Sequence, residues 1–283
     1  MRISDGGLAT ELERRGHDLS DPLWSARLLR DAPDEIVQTH RAFFCAGASI
    51  ATTASYQASF EGLGRDTKML LRRSVELART ARDEEAPGGW VAASVGPYGA
   101  MLADGSEYRG RYGLSVRELT RWHRPRIEIL ADEGPDVLAV ETVPDIDEAE
   151  AVVASLGGVR AWLSFTIDGD RTRAGQPLAE AFALAEAPEV IAIGVNCCAP
   201  EDVSTAIAIA RATTDKPVIV YPNSGEEWTG RWVGRSHFRA AQAKQWADEG
   251  ASIIGGCCRV YPDDIAAISR AVSGTPAPEG SDT

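Results

Sequence analysis

The sequence predicts an α/β protein folded as a single (β/α)8 TIM barrel. Three observations predict it: a length of 283 residues, a regular alternation of short apolar runs with longer amphipathic stretches, and a count of eight such units. The expected strands are Arg2–Ser4, Ser49–Thr53, Val91–Val95, Val137–Val140, Ala161–Ile167, Val190–Val195, Pro217–Tyr221 and Ser252–Ile254. Each is short and is followed by a stretch with helical spacing. After the sixth, Pro200, Glu201 and Asp202 form an acidic first turn. Val203, Ile207 and Ala210 then recur at i, i+4 and i+7, the stripe of a helix laid on a sheet. Ile265, Ile268 and Val272 repeat that stripe in the last helix.

No composition break divides the chain, so residues 1–272 are read as one domain. The segment 273–283 (SGTPAPEGSDT), rich in Pro, Gly and Ser, is expected to be a disordered tail. The first strand is barely three residues long. An open doubly wound sheet is the competing architecture, but it calls for a glycine fingerprint such as GxGxxG after the first strand, and none is present.

Composition narrows the function. A net charge of −13 argues against nucleic acid and anionic membranes as partners, because both need a basic surface. Small molecules are the expected partners. The chain contains no run of eighteen apolar residues, and its beginning, MRISDGGLATELE, is charged where a secretory signal is apolar, so a cytoplasmic protein is expected. Oligomeric state is left open.

A barrel of this kind builds its site at the C-terminal ends of the strands. Those ends carry Asp5-Gly6-Gly7, Thr53-Ala54-Ser55-Tyr56-Gln57, Gly96-Pro97-Tyr98-Gly99 and Glu141-Thr142 after the first four strands. Asp168-Gly169, Asn196-Cys197-Cys198, Pro222-Asn223-Ser224-Gly225 and Gly255-Gly256-Cys257-Cys258 follow the last four. Carboxylates, thiols and amides thus gather on one rim. The two cysteine pairs lie two strands apart, close enough to share a metal, and thiolates select zinc over magnesium or calcium. Adjacent side chains on a strand point opposite ways, so spacing does not decide between Cys197 and Cys198; Cys197 is preferred as the residue that ends the strand. Three ligands would leave an open catalytic site. A closed four-cysteine site, or buried vicinal thiols without metal, is the structural alternative.

Other residues carry less. His17, His40, His123 and His237 lie away from the strand ends, and His40 and His123 read as helix-surface or hydrogen-bonded core residues. Lys68, Lys216 and Lys244 avoid the strand ends, which argues against a Schiff-base aldolase. Trp228 and Trp232, in the loop Glu226–Gly234, are read either as a cover for the site or as packing on the rim.

The motifs together resemble one family. DGGLATELE, LWSA at Leu23–Ala26, TASYQASFEG at Thr53–Gly62, SVGPYGA at Ser94–Ala100, GVNC at Gly194–Cys197 and GGCC at Gly255–Cys258 are similar to those of the homocysteine S-methyltransferase family, in order, from about Ile3 to Arg270. TASYQASFEG and SVGPYGA resemble particularly the branch that uses S-methylmethionine. The resemblance implies a zinc ion (Zn2+) on Cys197, Cys257 and Cys258, with Cys198 an additional thiol. It implies that Asp5 and Glu141 hold the amino group of homocysteine, and that Thr53 and Tyr56 help bind the amino acid. Gly6 and Gly7 are expected to offer backbone N–H groups to its carboxylate, and Asn196 to line the same site. The implied donor is S-methylmethionine, then S-adenosylmethionine. Betaine-using relatives differ around YQAS, where this chain has Gln57, and methylfolate would need a folate domain. Selenocysteine is a further possible acceptor. The rival reading is a zinc-stabilised protein that binds or senses a thiol without turnover.

Overall fold

The computed structural model describes residues 1–21, 23–229 and 232–274. Eight parallel strands form one sheet: β1 (Arg2–Ile3), β2 (Ile50–Thr52), β3 (Trp90–Val95), β4 (Val137–Val143), β5 (Ala161–Phe165), β6 (Val190–Asn196), β7 (Val218–Tyr221) and β8 (Ala251–Ile254). Their hydrogen-bonded order is 1-8-7-6-5-4-3-2, with helices outside. All eight expected strands are present.

The ring closes between β1 and β2, where β1 is too short for a ladder. Side chains complete it. The Ser49 N–H donates to the Ile3 carbonyl at 2.7 Å, and the Ser49 hydroxyl accepts from the Ile3 N–H at 3.2 Å. One turn higher, the Asp5 carboxylate accepts from the Thr52 N–H at 2.7 Å and from its hydroxyl at 2.9 Å. The seam is therefore held by a residue that also faces the barrel mouth.

The core has two layers, as a filled barrel requires. Inward-facing Ile50, Ala92, Val137, Ala139, Trp162, Ala192, Ile219, Tyr221 and Ile253 fill the interior. A larger cluster lies between strands and helices. The helix Val203–Thr213 buries Val203, Ala206, Ile207 and Ala210, as its apolar period predicts, after a 3-10 turn at Pro200–Asp202. The last helix, Pro262–Ser273, buries Ile265 and Ile268 and runs one residue into the segment expected to be tail. The rest of that segment, 275–283, lies outside the described residues.

Two strands run further than their apolar residues indicate. β6 takes in Asn196. β4 continues through Glu141, Thr142 and Val143, and its register with β5 shifts between Val140 and Val143. That irregularity is a bulge of the kind that re-aims a side chain beside a site. It turns Glu141 to the barrel mouth and puts Thr142 in the left-handed region, at φ 57°. Among the described residues, no helix is long and apolar enough to cross a membrane.

Candidate metal centre

The sulfur atoms of Cys197, Cys257 and Cys258 lie within 4.8 Å of one another. Around a tetrahedral zinc with Zn–S bonds near 2.3 Å, sulfur atoms sit about 3.8 Å apart. A small contraction therefore brings the three onto one centre, and the soft donor set suits the metal that thiolates select. Cys197 and Cys258 are buried, and Cys257 is half-buried.

The convergence is imposed by backbone. Cys197 sits at the end of β6 in the left-handed region, at φ 48°, which only glycine adopts without strain. That twist sends its sulfur into the mouth. Cys198 instead points into the layer between strands and helices, where it is 1% exposed and burial pushes its thiol well above the usual range. The open choice between the two is thus resolved by geometry.

Gly255 and Gly256 deliver the other pair, for a reason different from turning. Neither has a positive φ. A Cβ at Gly255 would stand 2.7 Å from the Ser4 side chain, and one at Gly256 would collide with Val260. Close approach to the end of β1 requires Gly255, and the return of Val260 over the cysteine turn requires Gly256. The turn beyond them is fixed by the Cys257 N–H donating to the Pro222 carbonyl at 2.8 Å and the Cys258 N–H donating to Asn223 Oδ1 at 3.1 Å. Arg259, also left-handed at φ 64°, forms a bidentate pair with Glu226 at 3.0 Å. This ties the loop that carries Trp228 and Trp232 to the cysteine turn. Glu227–Trp228 and Trp232–Val233 pair there as short antiparallel strands. The side chain of Trp228 lies outside the described residues, and that of Trp232 is half-buried.

Cys197 is the thiol most ready to ionise. The thiols of Cys257 and Cys258 hydrogen-bond to it and hold it well below the ordinary thiol range, against the effect of burial; the hydroxyls of Thr142 and Tyr108 add to this. Sequence reasoning missed Tyr108, because nothing in the spacing of its loop marks it. Thr142 followed Glu141 in the rim reading without a role.

Asn196 lies beneath this cluster and is fully buried. Its Oδ1 accepts from the Thr142 N–H and its Nδ2 donates to the Thr142 hydroxyl, both at 2.7 Å. Both ends of the amide bond Thr142, so Asn196 props that residue in its left-handed turn.

Glu141 and Asp5 share the pocket above. Glu141 accepts from the Ser94 and Tyr221 hydroxyls. A relay fixes Ser94: its N–H donates to the Thr53 hydroxyl at 2.9 Å, and its carbonyl accepts from the Ser55 hydroxyl at 2.7 Å. Thr53 bonds Ser55 at 2.7 Å, which leaves its hydroxyl engaged in the relay. The Gly7 N–H is likewise committed, to the Val260 carbonyl at 2.9 Å, and is not free for a bound carboxylate. Gly6 lies in the same turn, between Asp5 and Gly7. Tyr56 is half-buried; its ring meets Trp24 edge-on at 6.3 Å, and its carbonyl accepts from buried Arg126 at 3.1 Å. Gln57 ties that loop to the next by donating to the Ala100 carbonyl at 3.0 Å.

Burial pushes the Asp5 carboxyl up to about 7, although Thr52 and Ser4 oppose it. Burial first, then Cys197 and Asp5, push Glu141 up to about 8, against its hydroxyl donors. Two such carboxyls at a sulfur-lined mouth await a cation. The histidines stand aside. His123 is a core residue bonded to Glu148 at 2.9 Å. His40 is buried with neither ring nitrogen paired among the described residues, so it is neither on the helix surface nor hydrogen-bonded.

Fold and site together define a barrel enzyme with a three-thiol metal centre at its mouth. Comparison with known proteins gives the family. The family model for homocysteine S-methyltransferase matches residues 2–272. The chain is 46% identical to the homocysteine S-methyltransferase of Escherichia coli, over 94% of this chain and 93% of that protein. It is 43% identical to homocysteine S-methyltransferase YbgG of Bacillus subtilis, over the same shares. The crystal structure of the metallated homocysteine methyltransferase MmuM from Escherichia coli superposes with a TM-score of 0.86 at 44% identity, covering 95% of each chain. This chain belongs to the homocysteine S-methyltransferase family.

Two measurements follow. Metal analysis of purified Cys257→Ser should show the metal lost, whereas Cys198→Ala should retain the wild-type content; metal loss in Cys198→Ala would return that thiol to the site. The second concerns pH. Asp5 and Glu141 bind protons more tightly folded than unfolded, so their contribution favours folding at low pH and is lost as pH rises, from the unfolded values near 4 to the folded values of about 7 and about 8. In metal-free protein, Glu141→Gln should raise the free energy of unfolding at pH 8.5 relative to wild type by more than at pH 5, by an amount on the order of a few kcal/mol, seen in denaturant titrations at the two pH values. An equal effect at both pH values would contradict the assignment.

Proposed function

We propose that this protein transfers a methyl group from a sulfonium donor to the thiol of homocysteine, giving methionine. S-methylmethionine is the first candidate donor and S-adenosylmethionine the second. The observation that carries the reading is the convergence of three thiols, two buried and one half-buried, with no fourth protein ligand among the described residues. Cys197, Cys257 and Cys258 would hold zinc, leaving a fourth position for substrate. Zinc bound there supplies a place where the substrate thiol ionises and stays nucleophilic at neutral pH, where a free thiol is mostly protonated. Three cysteine thiolates outweigh the charge of the ion, so the centre is a poor Lewis acid for water and metal-assisted hydrolysis fits it badly.

The chain's own groups then do the positioning. Asp5 and Glu141 take the ammonium of homocysteine. Its arrival offsets the burial that keeps them protonated and draws both to the charged form. Thr52 fixes Asp5 across the barrel seam, and Ser94 and Tyr221 fix Glu141, so neither must reorganise. Thr53 acts through Ser94, and Asn196 acts through Thr142 on Cys197. With the acceptor anchored at both ends, the donor needs only to present its methyl in line. The donor sulfur–methyl bond breaks as the new sulfur–carbon bond forms, and the donor leaves as a neutral thioether. Such alignment contributes several kcal/mol to rate.

The thiol-sensing alternative required a four-cysteine site, and Cys198, packed in the outer apolar layer, counts against it. Selenocysteine is a reasonable second acceptor, since a selenolate is softer than a thiolate; a selenocysteine Se-methyltransferase of Brassica oleracea is 41% identical to this chain. We assign the reaction to the cytoplasm, where substrate thiols stay reduced.

The test is a product assay with homocysteine and each donor, with zinc measured on the same sample. Methionine should form from S-methylmethionine in preparations that hold stoichiometric zinc, and chelation should remove zinc and turnover together. Full turnover in metal-free protein would overturn the proposal.

A further inference from the structure

The turn Ser106–Tyr108 enters the mouth from the loop after β3 and packs against the end of β4. It is fixed there. A Cβ at Gly99 would collide with the backbone at Glu107, and the Arg109 and Gly110 N–H groups both close on the Ser106 carbonyl, at 3.0 and 2.9 Å. Tyr108 uses this placement to reach the Cys197 sulfur. Its neighbour Glu107 has no such partner: Oε2 is buried and makes no hydrogen bond among the described residues. The nearby cation Arg109 is exposed and lies 3.9 Å from Asp104, outside the pocket. A buried carboxylate oxygen without a donor costs free energy unless something arrives to meet it. Its charge is felt at the Tyr56 hydroxyl, and burial first, then the Cys197 charge, holds its carboxyl above the usual range.

Asp5 and Glu141 already account for the acceptor's ammonium. We propose that Glu107, half-buried but with its Oε2 shielded and unpartnered, is the residue that recognises the positive charge of the methyl donor, a trialkylsulfonium, beside Tyr108 and near Tyr56. This rests on the reading of the protein as a sulfonium-dependent methyltransferase.

The charge has a further consequence. A sulfonium gives up its positive charge as the methyl leaves, so its attraction to Glu107 is strongest before reaction and gone in the product. Glu107 therefore acts on donor binding more than on the barrier, and it separates the charged donor from the neutral thioether that departs. For S-methylmethionine the departing thioether is methionine itself, which differs from the donor by one methyl and one charge. Glu107 is on this account the specificity residue that keeps product from occupying the donor's place.

The test compares wild type, Glu107→Gln and Glu107→Asp as zinc-loaded proteins. Glu107→Gln should raise KM for the sulfonium donor by about tenfold or more while kcat holds or rises, the signature of a lost ground-state interaction. KM for homocysteine and zinc content should stay at wild-type values, and Glu107→Asp should recover part of the donor affinity. Calorimetric binding of trimethylsulfonium, which has no ammonium and, with homocysteine left out, no acceptor for its methyl, should be measurable in wild type and weakened in Glu107→Gln. Unchanged donor KM, a parallel rise in homocysteine KM, or no trimethylsulfonium binding to wild type would each overturn the assignment. Wild-type turnover with the donor, measured alongside, shows whether the parent reading has failed or only this one.

Discussion

Everything at the barrel mouth depends on bringing three sulfur atoms from two strands to one point and keeping the neighbouring thiol away. Two backbone devices achieve it. The left-handed turn at Cys197 rotates one sulfur inward and leaves Cys198 in the apolar layer. Gly255 lets the end of β8 press against the residues that follow β1, and Gly256 makes room for Val260, so that Cys257 and Cys258 emerge together. Each device has its own support: Asn196 and Thr142 beneath the first, Pro222, Asn223 and the Arg259–Glu226 pair around the second. Strained residues persist only where the surroundings over-determine them, and here Thr142, Cys197 and Arg259 are all left-handed at one site.

The electrostatics repeat the same logic. The pocket combines buried carboxyls with thiols that must ionise, a set of like charges that an empty barrel opposes. On the proposed function, cations would resolve the conflict: a metal among the sulfurs, an ammonium between Asp5 and Glu141, a sulfonium opposite the thiol. Stability is given up in the empty protein so that ligands find groups already aimed at them. The Ser55–Thr53–Ser94 relay shows how far this extends, since its residues orient a carboxyl and none of them needs to touch substrate.

The barrel was legible because its strands are short apolar runs and its helices carry clean stripes; Val203, Ile207, Ile265 and Ile268 are buried as their spacing indicates. The rim was legible too, because strand ends define it. Where polar residues continue a strand, apolar pattern stops early, and so β4 appeared to end at Val140 although Glu141 and Thr142 belong to its bulge. Side-chain direction was the other gap. Position and resemblance placed Asn196, Thr53 and Gly7 in the site, and neither records that these residues also hydrogen-bond their neighbours as support. Tyr108 and Glu107 lie well past a strand end, in a loop whose return to the mouth is set by packing at Gly99, which no periodicity records.

The most direct test of the central claim is X-ray absorption at the zinc edge of the purified protein, with and without homocysteine. The account predicts that sulfur coordination rises from the three cysteines to four sulfurs when homocysteine binds, at distances near 2.3 Å. A sulfur count that does not change on adding homocysteine would contradict it.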